Sequence, residues 1–107
     1  MIKIAIVDDN LFLQKTVQEK LSFFEDIEIK SKSLNGKELL QKLEKNSNLD
    51  LILMDIEMPE MNGVETTAEV KKCYPHIKIL MLTVFDNDEK IFKSIKAGAD
   101  GYLLKEI

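Results

Sequence analysis

Short aliphatic runs alternate along this chain with stretches in which apolar residues recur every third or fourth position. Ile2–Val7, Leu49–Met54, Ile77–Leu82 and Gly101–Leu104 are nearly unbroken apolar runs. Such runs read as strands buried on both faces, the form that parallel strands take under a covering of helices. Ile27–Lys32 is shorter and mixed, as an edge strand can be. Between these runs lie helical patterns. Leu11–Phe24 places Leu13, Val17, Leu21 and Phe24 on one stripe. Asn35-Gly36-Lys37-Glu38 reads as a capping box opening a helix whose apolar face is Leu39, Leu40 and Leu43, broken by Asn46-Ser47-Asn48. Ile56–Gly63 is a loop with Pro59 and Asn62-Gly63 as turn signals, followed by a helix over Val64–Cys73 that stops before Pro75. Asp86 through Glu89 caps a fourth helix ending at Ala97-Gly98, where Gly98 suits a left-handed C-cap. Five strand-and-helix alternations predict an α/β fold: a flavodoxin-like, doubly wound, five-stranded parallel sheet of order 2-1-3-4-5, with the last helix missing.

Composition narrows this picture. A chain of 107 residues, 45% hydrophobic and 32% charged, is one globular domain with little core to spare. No apolar run approaches the ~20 residues that span a bilayer, and the first residues read as a strand, so the expected location is the cytoplasm and no membrane is expected as a partner. A net charge of −4 argues against this segment gripping nucleic acid itself. One cysteine excludes an internal disulfide; Cys73 is expected to pack near a helix end. His76, the one histidine, follows Pro75 in a loop and lacks the company that a metal site or a phosphohistidine relay needs.

The chemistry gathers where the strands end. Asp8 and Asp9 follow the first run, Asp55 follows the third, Thr83 the fourth and Lys105 the fifth. In an open parallel sheet those ends form the ligand crevice. Three carboxylates there repel one another unless some protonate or a cation joins them. A few hard oxygen ligands suit Mg²⁺ better than zinc. Asp55, at the middle strand, is best placed as a nucleophile carrying a phosphoryl group. Thr83 and Lys105 would answer the charge on its oxygens.

These residues carry a resemblance. Val7-Asp8-Asp9, the D-x-x-M-P-x-M-x-G loop from Asp55 to Gly63, Leu82-Thr83, and Ala97–Lys105 are similar, in this order, to the receiver domain of two-component response regulators. The resemblance covers the whole chain. It implies a phospho-accepting signalling switch in which Asp55 takes a phosphoryl group from a sensor histidine kinase. It also implies direct Mg²⁺ ligation by Asp9 and Asp55, support from Asp8 through a water, and a ligand from the backbone carbonyl of Glu57. Tyr102 matches the switch aromatic that turns inward when Thr83 moves toward the phosphate. The domain would lose its phosphoryl group slowly by hydrolysis and would not otherwise be an enzyme.

Departures from the family pattern carry expectations of their own. Val84 stands where a small residue is usual, which is expected to slow phosphoryl entry or exit. Glu106 follows Lys105 where proline is common, so a trans bond is expected. The ending Gly-Tyr-Leu-Leu-Lys looks like the subfamily with a C-terminal helix-turn-helix domain. This implies a receiver domain over residues 1–107, truncated before its final helix, that controls transcription and meets DNA only through an output domain absent from the chain. A sheet face lacking that helix is expected to be partly uncovered, favouring a homodimer, a swapped oligomer or lower stability. Two other classes fit less well. A phosphorylation-independent interaction module has little use for all five site residues. A flavin carrier needs a hydroxyl- and glycine-rich phosphate loop where Asp8-Asp9-Asn10 stands. The D-x-D pattern of aspartyl-phosphate hydrolases, faintly echoed by Glu57 after Asp55, belongs after the first strand.

Overall fold

A computed structural model describes residues 1–83 and 88–104, with Thr83 described by its backbone alone. Val84, Asp86, Lys105 and Glu106, and the expectations placed on them, lie outside the described residues. The elements run β1 (Ile2–Val7), α1 (Leu11–Leu21), β2 (Ile27–Ser33), α2 (Gly36–Lys45), β3 (Leu51–Met54), α3 (Gly63–Cys73), β4 (Lys78–Thr83), α4 (Asp88–Ala97) and β5 (Gly101–Leu104). The sheet is parallel throughout, with order β2-β1-β3-β4-β5 as the alternation predicts.

Asparagine starts each of the first three helices, because its short side chain accepts from an amide that has no partner within the helix. Asn10 accepts from Leu13, Asn35 from Glu38 and Asn62 from Glu65. All three caps lie on the connections that leave the carboxyl ends of β1, β2 and β3. The full capping box is at Asn62–Glu65, whereas the Glu38 carboxylate in α2 pairs with Lys42. Asn62-Gly63, expected within a turn, is therefore the entry to α3. The left-handed residue of that loop is Glu60, at φ 70°. Gly98 has φ 112°, as a helix C-cap of its kind requires.

Two expectations are corrected. α1 ends at Leu21, and Phe23 and Phe24 stand exposed in the turn beyond it. The stripe from Leu13 to Phe24 is thus too long by three residues; the chain turns at Ser22, whose hydroxyl donates to the Glu19 carbonyl at 2.6 Å. Cys73 is the last residue of α3 but is exposed rather than packed. His76 is an ordinary loop residue, its Nε2 lying 3.0 Å from the Ser47 carbonyl.

The larger core lies between the sheet and α2 and α3, built from Ala5, Val7, Ile52, Met54, Ile79 and Met81 against Leu39, Leu43 and Val70. Tyr102 packs against this cluster from β5. The opposite face is thinner: Ile4, Ile6 and Leu53 lie under Val17 and Leu21 of α1, with Leu80 at the margin. Further along that edge Leu103 is 51% exposed. β2, the far edge, carries an irregularity: Ile4 pairs Ile29 but Ala5 pairs Ser31, leaving Lys30 as the extra residue. Lys42 Nζ donates to the Lys32 carbonyl on the same strand.

At the end of the sheet away from the strand carboxyl termini, Asp100 ties three elements together. Its carboxylate accepts from the Ile79 amide at 2.8 Å and pairs with Lys71 of α3 at 2.7 Å. Burial alone would raise its pKa, but the Lys71 and Ile79 bonds, with the charges of Lys71 and Lys78, outweigh that and hold it below the usual value. A depressed carboxyl contributes stability that is present above its unfolded pKa of about 3.9 and is lost as pH falls through the lower folded value. Asp100→Ala is expected to cost about 1–3 kcal/mol at neutral pH, from the acceptor lost to a partly buried amide. The gap to wild type should narrow below about pH 4, as denaturant melts across pH would show; a gap independent of pH would contradict the assignment.

Candidate metal and phosphoryl site

β1 and β3 are adjacent and in register, Val7 beside Met54, so Asp8 and Asp55 emerge side by side. The Asp55 amide donates to the Val7 carbonyl at 2.9 Å and the Asp8 amide to the Ser33 carbonyl at 3.0 Å, which extends the ladder to the acids themselves. Asp8 is 5% exposed and Asp55 8%, whereas Asp9 is open to solvent. One carboxylate oxygen from each of Asp8, Asp9 and Asp55 lies within 4.8 Å of the others. The Asp55 Oδ1 accepts from the Ile56 amide and the Asp8 Oδ1 from the Asn10 amide, both at 2.9 Å. These bonds aim the carboxylates without neutralising them. An all-oxygen donor set, part buried and part open, fits a small hard cation that keeps some water.

The loop after Asp55 is folded back tightly. The Gly63 amide donates to the Ile56 carbonyl at 2.7 Å, and a Cβ on Gly63 would stand 2.0 Å from the Asp55 carbonyl oxygen. Only hydrogen fits where α3 starts against the backbone that follows β3. Met54 is fully buried and Met58 packs against the core.

The acids, therefore, come together as the sequence predicts. The Glu57 side chain does not join them: it is exposed and ion-paired with Lys90 of α4. Its expected role concerned the backbone carbonyl, which this pairing leaves unchanged. Thr83 ends β4 in register with Leu104, on the same edge of the sheet as Asp55. Tyr102 is half-buried opposite Met81. Sequence reasoning missed Lys90, for which no spacing rule gives a signal. It also missed Gln14, which is 4% exposed and bonded to the loop that carries the acids. Gln14 could have been found, since 14, 17 and 21 share one helical face and only the first is polar.

Comparisons with known proteins bear on the family and the fold. The family model described as response regulator receiver domain matches residues 4–107. The response regulator protein VraR of Staphylococcus aureus is 41% identical over 104 residues, which are 97% of this chain and 49% of that protein. The chain spans about half the length of the curated relatives it matches. The crystal structure of a DNA-binding response regulator of the LuxR family from Staphylococcus aureus is similar with a TM-score of 0.91 and 29% identity, over 100% of this chain and 88% of that one. The CheX-CheY-BeF3-Mg²⁺ complex from Borrelia burgdorferi, at 21% identity, TM-score 0.91 and coverage of 99% and 79%, shares the fold.

Proposed function

This chain belongs to the response regulator receiver domain family, the phosphoryl-accepting switches of two-component signalling, and on that premise we propose that Asp55 is its acceptor. The observation that carries the proposal is the convergence of the Asp8, Asp9 and Asp55 oxygens within 4.8 Å at the carboxyl edge of the sheet. In the proposed reaction an Asp55 oxygen attacks the phosphorus of a phosphohistidine on a sensor kinase. A P–O bond forms, the P–N bond breaks, and the histidine leaves with its electron pair. The acyl phosphate on Asp55 is later attacked by water, returning carboxylate and inorganic phosphate, so turnover is limited to slow self-dephosphorylation.

Asp9 and Asp55, with Asp8 in support and the Glu57 carbonyl, would hold a Mg²⁺ ion, which supplies charge neutralisation at the phosphoryl oxygens. Burial of Asp8 and Asp55 lowers the local dielectric and strengthens that attraction. Lys105 and Thr83 are proposed to contact the phosphoryl group. Tyr102 is proposed to follow Thr83, so that phosphorylation favours a conformer already populated at low abundance. Output through a C-terminal DNA-binding domain, hence control of transcription in the cytoplasm, is proposed from VraR, of which this chain spans about half, and from the similar structure described as a DNA-binding response regulator. No helix among the described residues is long and apolar enough to cross a membrane. A second copy of the chain, as a homodimer or with swapped elements, is proposed as the partner of the apolar edge around Leu103.

The test is incubation with Mg²⁺ and a small acyl-phosphate donor. A labile phosphoryl mass increment is expected in wild type and none in Asp55→Ala. No increment in wild type would favour an interaction module that signals without phosphorylation. Sedimentation of the same samples reads the second copy, and a monomer in every state would remove that partner.

A further inference from the structure

We propose that Gln14 is a positioning residue for the acidic site: its side-chain amide anchors the β1–α1 loop so that Asp8 and Asp9 are held near Asp55 before any cation joins them. The inference rests on reading the three acids as a metal and phosphoryl site.

Gln14 is the buried residue of α1, on the face that Val17 and Leu21 turn to the sheet. A primary amide there is costly unless its hydrogen bonds are made. Its Nε2 lies 2.7 Å from the Asp8 carbonyl and 2.7 Å from the Ser33 carbonyl. Both partners are acceptors, so the amide must present its nitrogen to them, and both N–H groups are used. The two carbonyls lie where β1 and β2 run out. The Ser33 carbonyl also accepts from the Asp8 amide at 3.0 Å, so the peptide groups on both sides of the Asp8 Cα are fixed. The Asp8 carboxylate is then turned by the Asn10 amide, and Asn10 in turn caps the helix that carries Gln14. Loop, cap and helix form one closed circuit of hydrogen bonds.

The reason for such a circuit is electrostatic. The like charges of Asp8, Asp9 and Asp55 repel one another, and Asp9 is the one open to solvent on a short loop. A donor fixed to a helix resists that movement, and the site meets its metal already assembled. Residues that orient metal ligands from behind characteristically alter affinity when removed, beyond any effect on folding.

The test titrates MgCl₂ against the whole chain, with the shifts of the Asn10 and Gly63 amides followed by NMR. Gln14→Met keeps the length and apolar packing but removes both donors. Its Mg²⁺ midpoint is expected to rise about tenfold. Asp100→Ala, which weakens the opposite end of the sheet, is the control and should stay within about twofold of wild type. If Gln14→Met does not fold, Gln14→Asn, one methylene short of both carbonyls, serves in its place with the same expectation. A folded Gln14 variant that is less stable but keeps the wild-type midpoint would make Gln14 a structural residue only and overturn the inference. Absence of any Mg²⁺ response in wild type would instead refute the metal site itself and this anchor with it.

Discussion

Gly63→Ala is expected to lose about 3 kcal/mol or more of stability, the upper end of the cost of overpacking a filled interior. A methyl group there would meet the Asp55 carbonyl oxygen at 2.0 Å, the Asp55 carbonyl carbon at 2.9 Å and the Ile56 Cα at 3.0 Å. All three are backbone atoms, so no side-chain rotation relieves the clash. The first turn of α3 would have to withdraw. It would take with it the 2.7 Å bond from the Gly63 amide to Ile56 and the Asn62–Glu65 capping box. Because the displaced backbone is that of Asp55, phosphoryl uptake from a small acyl-phosphate donor should fall at the same time. Denaturant melts and the phosphoryl mass increment measure the two effects. A variant as stable and as readily phosphorylated as wild type would show that α3 can pack elsewhere.

Asp9→Asn is expected to abolish most of the stabilisation by magnesium and so to reverse the stability order of variant and wild type. Without the ion it should melt higher than wild type, by on the order of 1 kcal/mol, because one of three mutually repelling carboxylates is gone and solvent screens the exposed Asp9. With the ion the order should invert. A ligand at a hundredfold excess over its dissociation constant stabilises a folded state by about 2.7 kcal/mol. Wild type should gain that increment and the variant little of it. Thermal melts with and without MgCl₂ give both signs. Equal gains in the two proteins would remove Asp9 from the ligand set.

Much of the fold and the acidic site was legible because the two signals coincide. A strand buried on both faces needs an unbroken aliphatic run, and the first polar residue after such a run must lie at the strand's carboxyl end. Asp8 and Asp55 are found that way, and the register of Val7 with Met54 brings them together. What was not legible depends on geometry that periodicity ignores. Phe24 continues the α1 stripe on paper, but the backbone has already turned at Ser22. Asn62-Gly63 has the composition of a turn, yet it starts a helix because a cap and a close approach ask for the same two residues. Glu60 takes the left-handed conformation that its neighbourhood suggests for a glycine. Lys90 reaches Glu57 across 33 positions of sequence.

The irregular far strand has a consequence for how copies of this domain can meet. β2 carries its extra residue at Lys30, and a lysine from α2 occupies the Lys32 carbonyl. A bulge and a charged cover are what keep an edge from templating another chain. If molecules join by extending their sheets, they must do so from the β5 side. Two such sides facing each other use up both and form a closed two-fold pair, whereas a head-to-tail contact would need the blocked margin. The asymmetry of the sheet thus favours closed pairs over open head-to-tail growth by this route.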